Sequence, residues 1–574
     1  MPGYTTFHVW KKTGTYADTL AAAGLLEMLW TLNRGVEEPV LYEGSAGFRV
    51  VCSNPVQLAT LDYAILQRDP LYRFISTKDG EDSLNPDNSA YNYLANKALA
   101  DAKREKRKLR TAGVDMSEMQ GPDSLFYIYQ QIHMLQGVGA RNKLYEEIYT
   151  APADRLQDAV QAKLQALAEG RPPADVDTSF SPKVAALQVF QPAAGKGTNR
   201  PKADSPARGP LPAPFVDWFE EWLRFIGVDQ LLSGYRLGDD IKIVVPVPKR
   251  MERGLLKQFR GKTPSIAWTS RKADILSVFD TLEWLLDEDE NSASWGYGVQ
   301  PGDSPADTVS SIQSAYFKSL GSAKPVMNIS AIGLPNWFPV NNEADVGLWK
   351  RMIDEHKRVL VLLDERKSEE EALLQLYRDF IATSDWRMFL CFLGSYGCLT
   401  ISRRNNNKPV RSFSQFYLEE LLMRMDKLVL GPILGNAGFR RVAEAIRLAT
   451  VSEQYAKSKK QQVFDIKYSL FQDLKRSAKF PEQFMATIFE FINEFNMESA
   501  RRAEQLGEKP GRRRKRLSEA EIEQFAMLLD SCKESKDFET IAMLLIALAS
   551  AKGDPTQGAP DDDEYGEEEL EEYV

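Results

Sequence analysis

The sequence predicts an α+β protein: a mixed α/β N-terminal and central region, followed by a C-terminal helical bundle and a disordered acidic tail. Three observations carry this. Runs with strand character fall in the first two thirds of the chain, apolar residues at helical spacing dominate after about Ser412, and the residues after Ser550 hold ten acids against one base.

At 574 residues the chain exceeds the roughly 250–300 residues at which a single hydrophobic core stops growing. Shifts in composition divide it into an α/β domain over 1–190, a basic Pro/Gly-rich loop over 191–214, a central α/β region over 215–411, the helical bundle over 412–550 and the acidic tail over 551–574.

Thr5–Trp10 alternates as a strand, and Tyr16–Asn33 then carries Leu20, Gly24, Leu25, Met28, Leu29 and Leu32 at the spacing of an amphipathic helix. Val40–Cys52 is two apolar runs around Gly-Ser-Ala-Gly, the pattern of a β-hairpin. Ile241–Val247 and Arg358–Leu363 have the length and β-branched content of buried strands, and Pro246 places the first of them at a sheet edge. Repeated proline in Gln191–Pro214 disfavours both helix and central strand. Further on, Val442, Ile446 and Leu448, then Phe484, Ile488, Phe491, Ile492 and Phe495, then Ile522, Phe525, Met527 and Leu528 mark successive helices. Ser518 with Glu521 forms a capping box that starts a helix directly after Arg512–Arg516, while Pro510 and Gly511 break the chain before it. That basic run therefore sits on a loop between helices.

The net charge is −9, and the tail accounts for all of it. The other 550 residues are formally neutral, and within them Leu421–Ala520 carries a net +8. A basic stretch in a neutral body suits a polyanionic partner better than the overall acidity suggests. The four cysteines, Cys52, Cys391, Cys398 and Cys532, lack the close spacing of a zinc site or redox pair and read as reduced cytosolic thiols. No charged leader followed by an apolar stretch opens the chain, and nowhere do about 18 apolar residues run together. A cytoplasmic protein with no membrane partner is the expectation.

Motifs for chemistry are sparse. GKGT at Gly195–Thr198 resembles the end of a phosphate-binding loop, but Phe190 stands where the first glycine is required and Pro201 follows at once. His8, His133 and His356 fall in no metal-binding arrangement, and paired acids such as Asp239 and Asp240 lie in polar runs without a partnering base. The reading is therefore of no catalytic residue, no metal site and no cofactor. Basic clusters remain. Lys103–Arg110 is as compatible with a solvated helix as with a contact site. The basic loop offers Lys196, Asn199, Arg200 and Lys202. A second polar loop offers Arg403, Arg404, Asn405, Asn406, Asn407, Lys408 and Arg411, a mix that can reach phosphates, guanine and adenine edges, with a plain turn as the alternative. Arg440, Arg441 and Arg447 share one predicted helix, on which Arg440 and Arg447 lie seven apart on a face suited to a phosphate backbone while Val442 and Ile446 turn inward.

Three passages resemble the large subunit of type I CRISPR Cascade complexes: YADTLAAAGLLEML (Tyr16–Leu29), QPAAGKGTNRPKAD (Gln191–Asp204), and the C-terminal bundle with GFRRVAEAIRLATVSEQ (Gly438–Gln454), DIKYSLFQDLKR (Asp465–Arg476) and FINEFNMESARR (Phe491–Arg502). The resemblance implies a non-catalytic protein that binds crRNA and double-stranded target DNA. It implies a reading of the protospacer-adjacent motif by the N-terminal domain and a hold on the displaced strand by the helical bundle. It also implies the backbone, repeat-handle-binding and small subunits as partners, and a recruited helicase-nuclease or transposition factors as effector. No motif-reading residue transfers by position. The competing classes are a protein-binding regulatory scaffold, with the acidic tail as its interaction element, and an unrecognised nuclease.

Overall fold

The computed structural model describes residues 3–33, 38–68, 74–78, 91–109, 121–184, 187–190, 216–259, 271–287, 297–321, 324–461, 463–507, 513–532 and 534–553. These form two compact units, one of residues 1–269 and 276–334, the other of 270–275 and 335–574. The boundary at 411/412 expected from composition thus falls inside the second unit, whose continuous part from 335 onward has its first helix at Glu343. The basic loop over 191–214 and the tail beyond Gly553 lie outside the described residues.

The first unit is α+β. Strands β1 (Tyr4–Trp10), β2 (Val40–Glu43), β3 (Gly47–Val56) and β8 (Arg250–Glu252) form one antiparallel sheet in the order β1-β3-β2-β8. A second antiparallel sheet has the order β10-β9-β7-β6, from β6 (Ser233–Leu237), β7 (Asp240–Pro248), β9 (Val309–Phe317) and β10 (Val326–Gly333). Short strands β4 (Ile75–Ser76) and β5 (Tyr91–Asn92) pair in parallel. The helices are α1 (Tyr16–Leu32), α2 (Tyr93–Leu109), α3 (Ser124–Met134), α4 (Gly137–Thr150), α5 (Ala153–Ala168), α6 (Trp218–Leu231), α7 (Arg253–Phe259), α8 (Arg271–Leu286) and the single turn α9 (Pro305–Thr308).

The hairpin expected at Val40–Cys52 is β2–β3, closed by the Gly44 N–H donating to the Gly47 carbonyl at 2.7 Å. The strand expected at Ile241–Val247 is β7, but it is interior and not an edge. Its neighbour β6 stops at the Ser233–Val244 pair, so Pro246 lies past the end of that ladder and pairs only with Ile312 of β9. A proline is tolerated there because no β6 acceptor awaits its missing N–H.

Helix α1 differs most from expectation. Instead of presenting one apolar face, it is buried on every side from Tyr16 to Leu29, and α6 is buried along its whole length. The two pack backbone to backbone. A Cβ on Gly24 would lie 1.8 Å from the Leu223 carbonyl oxygen, and one on Gly227 would lie 1.8 Å from that of Leu20. Such proximity admits only glycine. Both acids of α1 carried inward have partners: Glu27 accepts both prongs of Arg253 at 2.6 and 2.8 Å, and Asp18 accepts the Thr13 and Gly14 N–H groups at 2.9 Å.

The second unit is helical throughout its described elements: α10 (Glu343–Val361), α11 (Ser368–Thr383), α12 (Trp386–Asn405), α13 (Gln415–Met425), α14 (Lys427–Leu434), α15 (Ala437–Ala449), α16 (Val451–Ser458), α17 (Leu470–Ser477), α18 (Pro481–Leu506), α19 (Glu519–Ser531) and α20 (Ser535–Ser550). Arg358–Leu363 is not a strand but the end of α10, where Val359, Leu360 and Leu363 are buried. Five apolar residues in a row fit a buried strand and a helix end equally well, and only the helical spacing of Val346, Trp349, Met352, Ile353 and His356 upstream separates the two. His356 is sealed in aromatic rings, its Nδ1 on the Tyr377 hydroxyl, and burial pushes its pKa down to about 3. The expected box at Ser518–Glu521 caps α19.

The centre of this unit is α20, buried from Ile541 to Ala549. It packs on α12 at Gly394 and Gly397, where a Cβ would meet the Met543 sulfur at 2.1 Å and the Ile546 side chain at 2.6 Å. After α20 the chain is tied down once more: Lys552 donates its N–H to Phe413 and accepts from Gln415, at 2.8 and 2.9 Å. Beside this tie the Glu355 carboxylate accepts the Ser414 N–H at 2.6 Å, and burial pushes its pKa up to about 7. No described helix is long and apolar enough to cross a membrane.

Two measurements check this packing. Gly24→Ala is expected to destabilise the protein by about 1–3 kcal/mol, the overpacking cost exceeding the helix propensity gained. Gly139→Ala in α4, where a Cβ meets nothing within 4 Å, is expected to be neutral or stabilising by up to about 1 kcal/mol in the same urea titration.

Glu355 binds its proton more tightly folded than unfolded, so its contribution favours folding at low pH and is lost as pH rises from about 4.5 through about 7. The stability of Glu355→Gln relative to wild type is therefore expected to grow by about 1–3 kcal/mol between pH 5 and pH 8. A flat difference would remove this role for Glu355.

Candidate nucleic-acid interface

The residues singled out in the sequence fare differently. Lys196, Asn199, Arg200 and Lys202 lie outside the described residues. Arg403, Arg404, Asn405, Asn406, Asn407 and Lys408 are not a free loop but the C-terminus of α12. Asn407 takes the left-handed conformation (φ 51°), the Lys408 N–H donates to the Arg403 carbonyl at 2.9 Å and the Asn407 N–H to that of Arg404 at 3.2 Å. This is a Schellman cap, for which asparagine is a usual substitute for glycine. The asparagine run thus has a backbone reason.

Arg403 is buried and pairs with Glu370 at 2.6 Å while donating to the Leu362 carbonyl at 3.0 Å. Arg404 donates to the Ser412 hydroxyl at 3.0 Å, and Arg411 is buried. The side chains exposed here are Asn405, Asn406, Asn407 and Lys408.

The stripe on α15 is likewise engaged within the bundle. Arg440 is exposed but forks onto Glu419 at 2.7 and 3.2 Å and donates to the Leu434 carbonyl at 2.6 Å. Arg441, expected outside, is buried between Glu444, 2.8 Å away, and the Lys515 carbonyl. Arg447 donates to the Ala549 and Ala551 carbonyls, capping the end of α20. A phosphate would have to displace these partners, so the stripe is a clamp between helices.

A different basic face is assembled around Arg514. The Arg514 side chain is 1% exposed, pairs with Glu453 of α16 at 2.9 Å and Glu498 of α18 at 3.2 Å, and stacks over the Phe464 ring at 3.8 Å. The chain on its C-terminal side is held to α18 by Asn496, which accepts the Leu517 N–H and donates to its carbonyl. With its centre fixed, the segment turns Arg513, Lys515 and Arg516 outward. Arg502 of α18 lies over the same Phe464 ring at 5.8 Å, next to exposed Arg501. Beyond Glu453, the end of α16 contributes Lys457, Lys459 and Lys460, with Lys457 against the partly exposed ring of Tyr468. The face combines long cations, which meet phosphates, with a tyrosine on which a base can stack.

Among the described residues no group of three or more His, Cys, Asp or Glu side chains is placed to hold a metal ion. Sequence counting located the excess of charge in Leu421–Ala520 and named Arg512–Arg516, but it missed Lys457, Lys459, Lys460, Arg501 and Arg502 as neighbours of that run. Buried Arg514, invisible among five consecutive cations, is what brings them together.

A scan against models of known protein families finds no match to this chain, and a search of curated proteins finds no relative.

Arg514→Ala should leave Glu453, fully buried, without its cation and cost about 3–5 kcal/mol. Arg513→Ala with Arg516→Ala should change stability by less than about 0.5 kcal/mol each. Thermal unfolding of the two variants checks the distinction, and equal effects would contradict it.

Proposed function

We propose that this chain is the non-catalytic large subunit of a crRNA-guided CRISPR surveillance complex, acting in the cytoplasm. In this reading it binds target DNA, recognises the protospacer-adjacent motif and stabilises the R-loop for a recruited helicase-nuclease or for transposition factors. The observation that supports the nucleic-acid part is the basic face around Arg514, where cations from α16, α18 and the 513–516 segment are held by one buried ion pair. Guide pairing supplies sequence specificity in such a complex, so the protein's share is phosphate contact and a short duplex-reading element. The assignment to this particular complex rests on the sequence resemblance.

A second reading, a regulatory scaffold without a nucleic-acid partner, draws on exposed apolar side chains. Phe416 on α13 and Leu428 and Val429 on α14 stand in solvent, Leu428 at 90% exposure. A subunit of a larger assembly needs such a surface for its neighbours too.

Coexpression with the genomic neighbours and sequencing of copurified RNA separates the two readings. Discrete repeat-spacer RNA is expected, and an RNA-free chain would favour the scaffold. For the interface itself, Lys459→Glu, Lys460→Glu, Arg513→Glu and Arg516→Glu combined should weaken binding to a DNA duplex or single strand at least tenfold at about 100 mM salt. The slope of log affinity against log salt should become shallower by about 1 for each phosphate-binding cation removed. Unchanged affinity and slope would remove this face from the proposal.

A further inference from the structure

A second feature of the helical unit is a cleft of ≈ 560 Å³ between α11, α12 and the α17–α18 corner. Its floor is apolar, from Ala372, Leu373 and Leu376 with the Phe480 ring at one side, and its rim carries Lys475, Lys479 and Arg476, the last paired with Asp473 at 2.8 Å, with Glu369 opposite. Phe480, at the N-terminal end of α18, is 57% exposed. Lys475 is steadied at the mouth by donating to the Ser395 hydroxyl at 2.6 Å, while Lys479 is exposed. A volume of this size falls in the range of built binding sites. The combination of apolar floor and cationic rim selects an occupant that is both anionic and partly apolar.

The chain carries such a segment. Residues Asp554–Val574 hold ten acids and no base, interleaved with Tyr565, Leu570 and Tyr573. They continue from the Lys552 tie beside Phe413, and the preceding helix reaches the cleft wall: Gly397, next to the cleft-lining Cys398, faces Ile546 and Ser550 of α20. Twenty-one residues can extend up to roughly 70 Å, several times the radius of gyration of about 18 Å expected for a unit of this size. Tethering gives the segment an effective concentration of order millimolar at a site on its own unit.

We propose that the acidic segment Asp554–Val574 docks in this cleft, its aromatic and leucine side chains on the apolar surface of Leu373, Leu376 and Phe480 and its carboxylates on Lys475 and Lys479. Docking itself needs no nucleic acid and does not depend on the function proposed above.

The test uses the full chain with a photocrosslinking phenylalanine derivative in place of Phe480. Irradiation at low salt is expected to join position 480 to a peptide within 554–574 of the same chain, located by mass spectrometry. The yield should fall at least fivefold in about 1 M salt, and equally with Lys475→Glu and Lys479→Glu. In trans, a labelled 554–574 peptide should bind the chain ended at Gly553, and the same two substitutions should weaken it at least tenfold while Lys459→Glu with Lys460→Glu should not. Crosslinks only to other segments or between chains, or a peptide that ignores the cleft substitutions, would overturn the proposal.

Discussion

A guanidinium taken out of water must find a carboxylate or other acceptors to offset its lost hydration, and at Arg514 this requirement ties three segments of the helical unit together. The ion pair with Glu453 ties α16 to the 513–517 segment, the pair with Glu498 ties that segment to α18, and the Phe464 ring fills the remaining side. Replacing one partner leaves an uncompensated buried charge, which is why such a pair specifies geometry even where its net stabilisation is small. The cations displayed around it are positioned at no further cost, because their neighbour in the chain is already fixed.

The same use of arginine recurs through the unit. Arg403 binds Glu370 across α11 and α12, Arg441 joins α15 to the 513–517 segment, and Arg447 closes the end of α20. In the α/β unit the close approach is achieved by deletion instead: Gly24 and Gly227 remove the side chains that would separate α1 from α6. One unit is held by long side chains reaching across, the other by the absence of side chains.

Much of the fold was legible in the sequence because periodicity reports burial. The β2–β3 hairpin, β7, the helices of the last third and the Ser518 cap all followed from local pattern. Three errors share a cause, which is that local pattern does not report what packs against it. Arg358–Leu363 was too short to separate strand from helix end, Pro246 sits interior because β6 is short, and α1 is buried on all sides because α6 covers what would be its solvent face. The candidate interface was less legible still. Charge counting finds cations but not which of them the fold consumes, so Arg403, Arg441 and Arg447 read like Arg513 and Arg516 in one dimension. The asparagines at 405–407 read as adenine-binding groups because a left-handed helix cap and a base-reading loop draw on the same residue types.

The packing of α20 on α12 has a consequence in time. The glycines at 394 and 397 form seats for Met543 and Ile546, residues translated some 150 positions later. At about 5–20 residues per second, these seats leave the ribosome on the order of ten seconds before the helix that fills them. Through that interval α20 is not there to cover the apolar wall of α12. A ribosome stalled anywhere between Asn405 and Ser535 would release a chain whose core lacks its central helix.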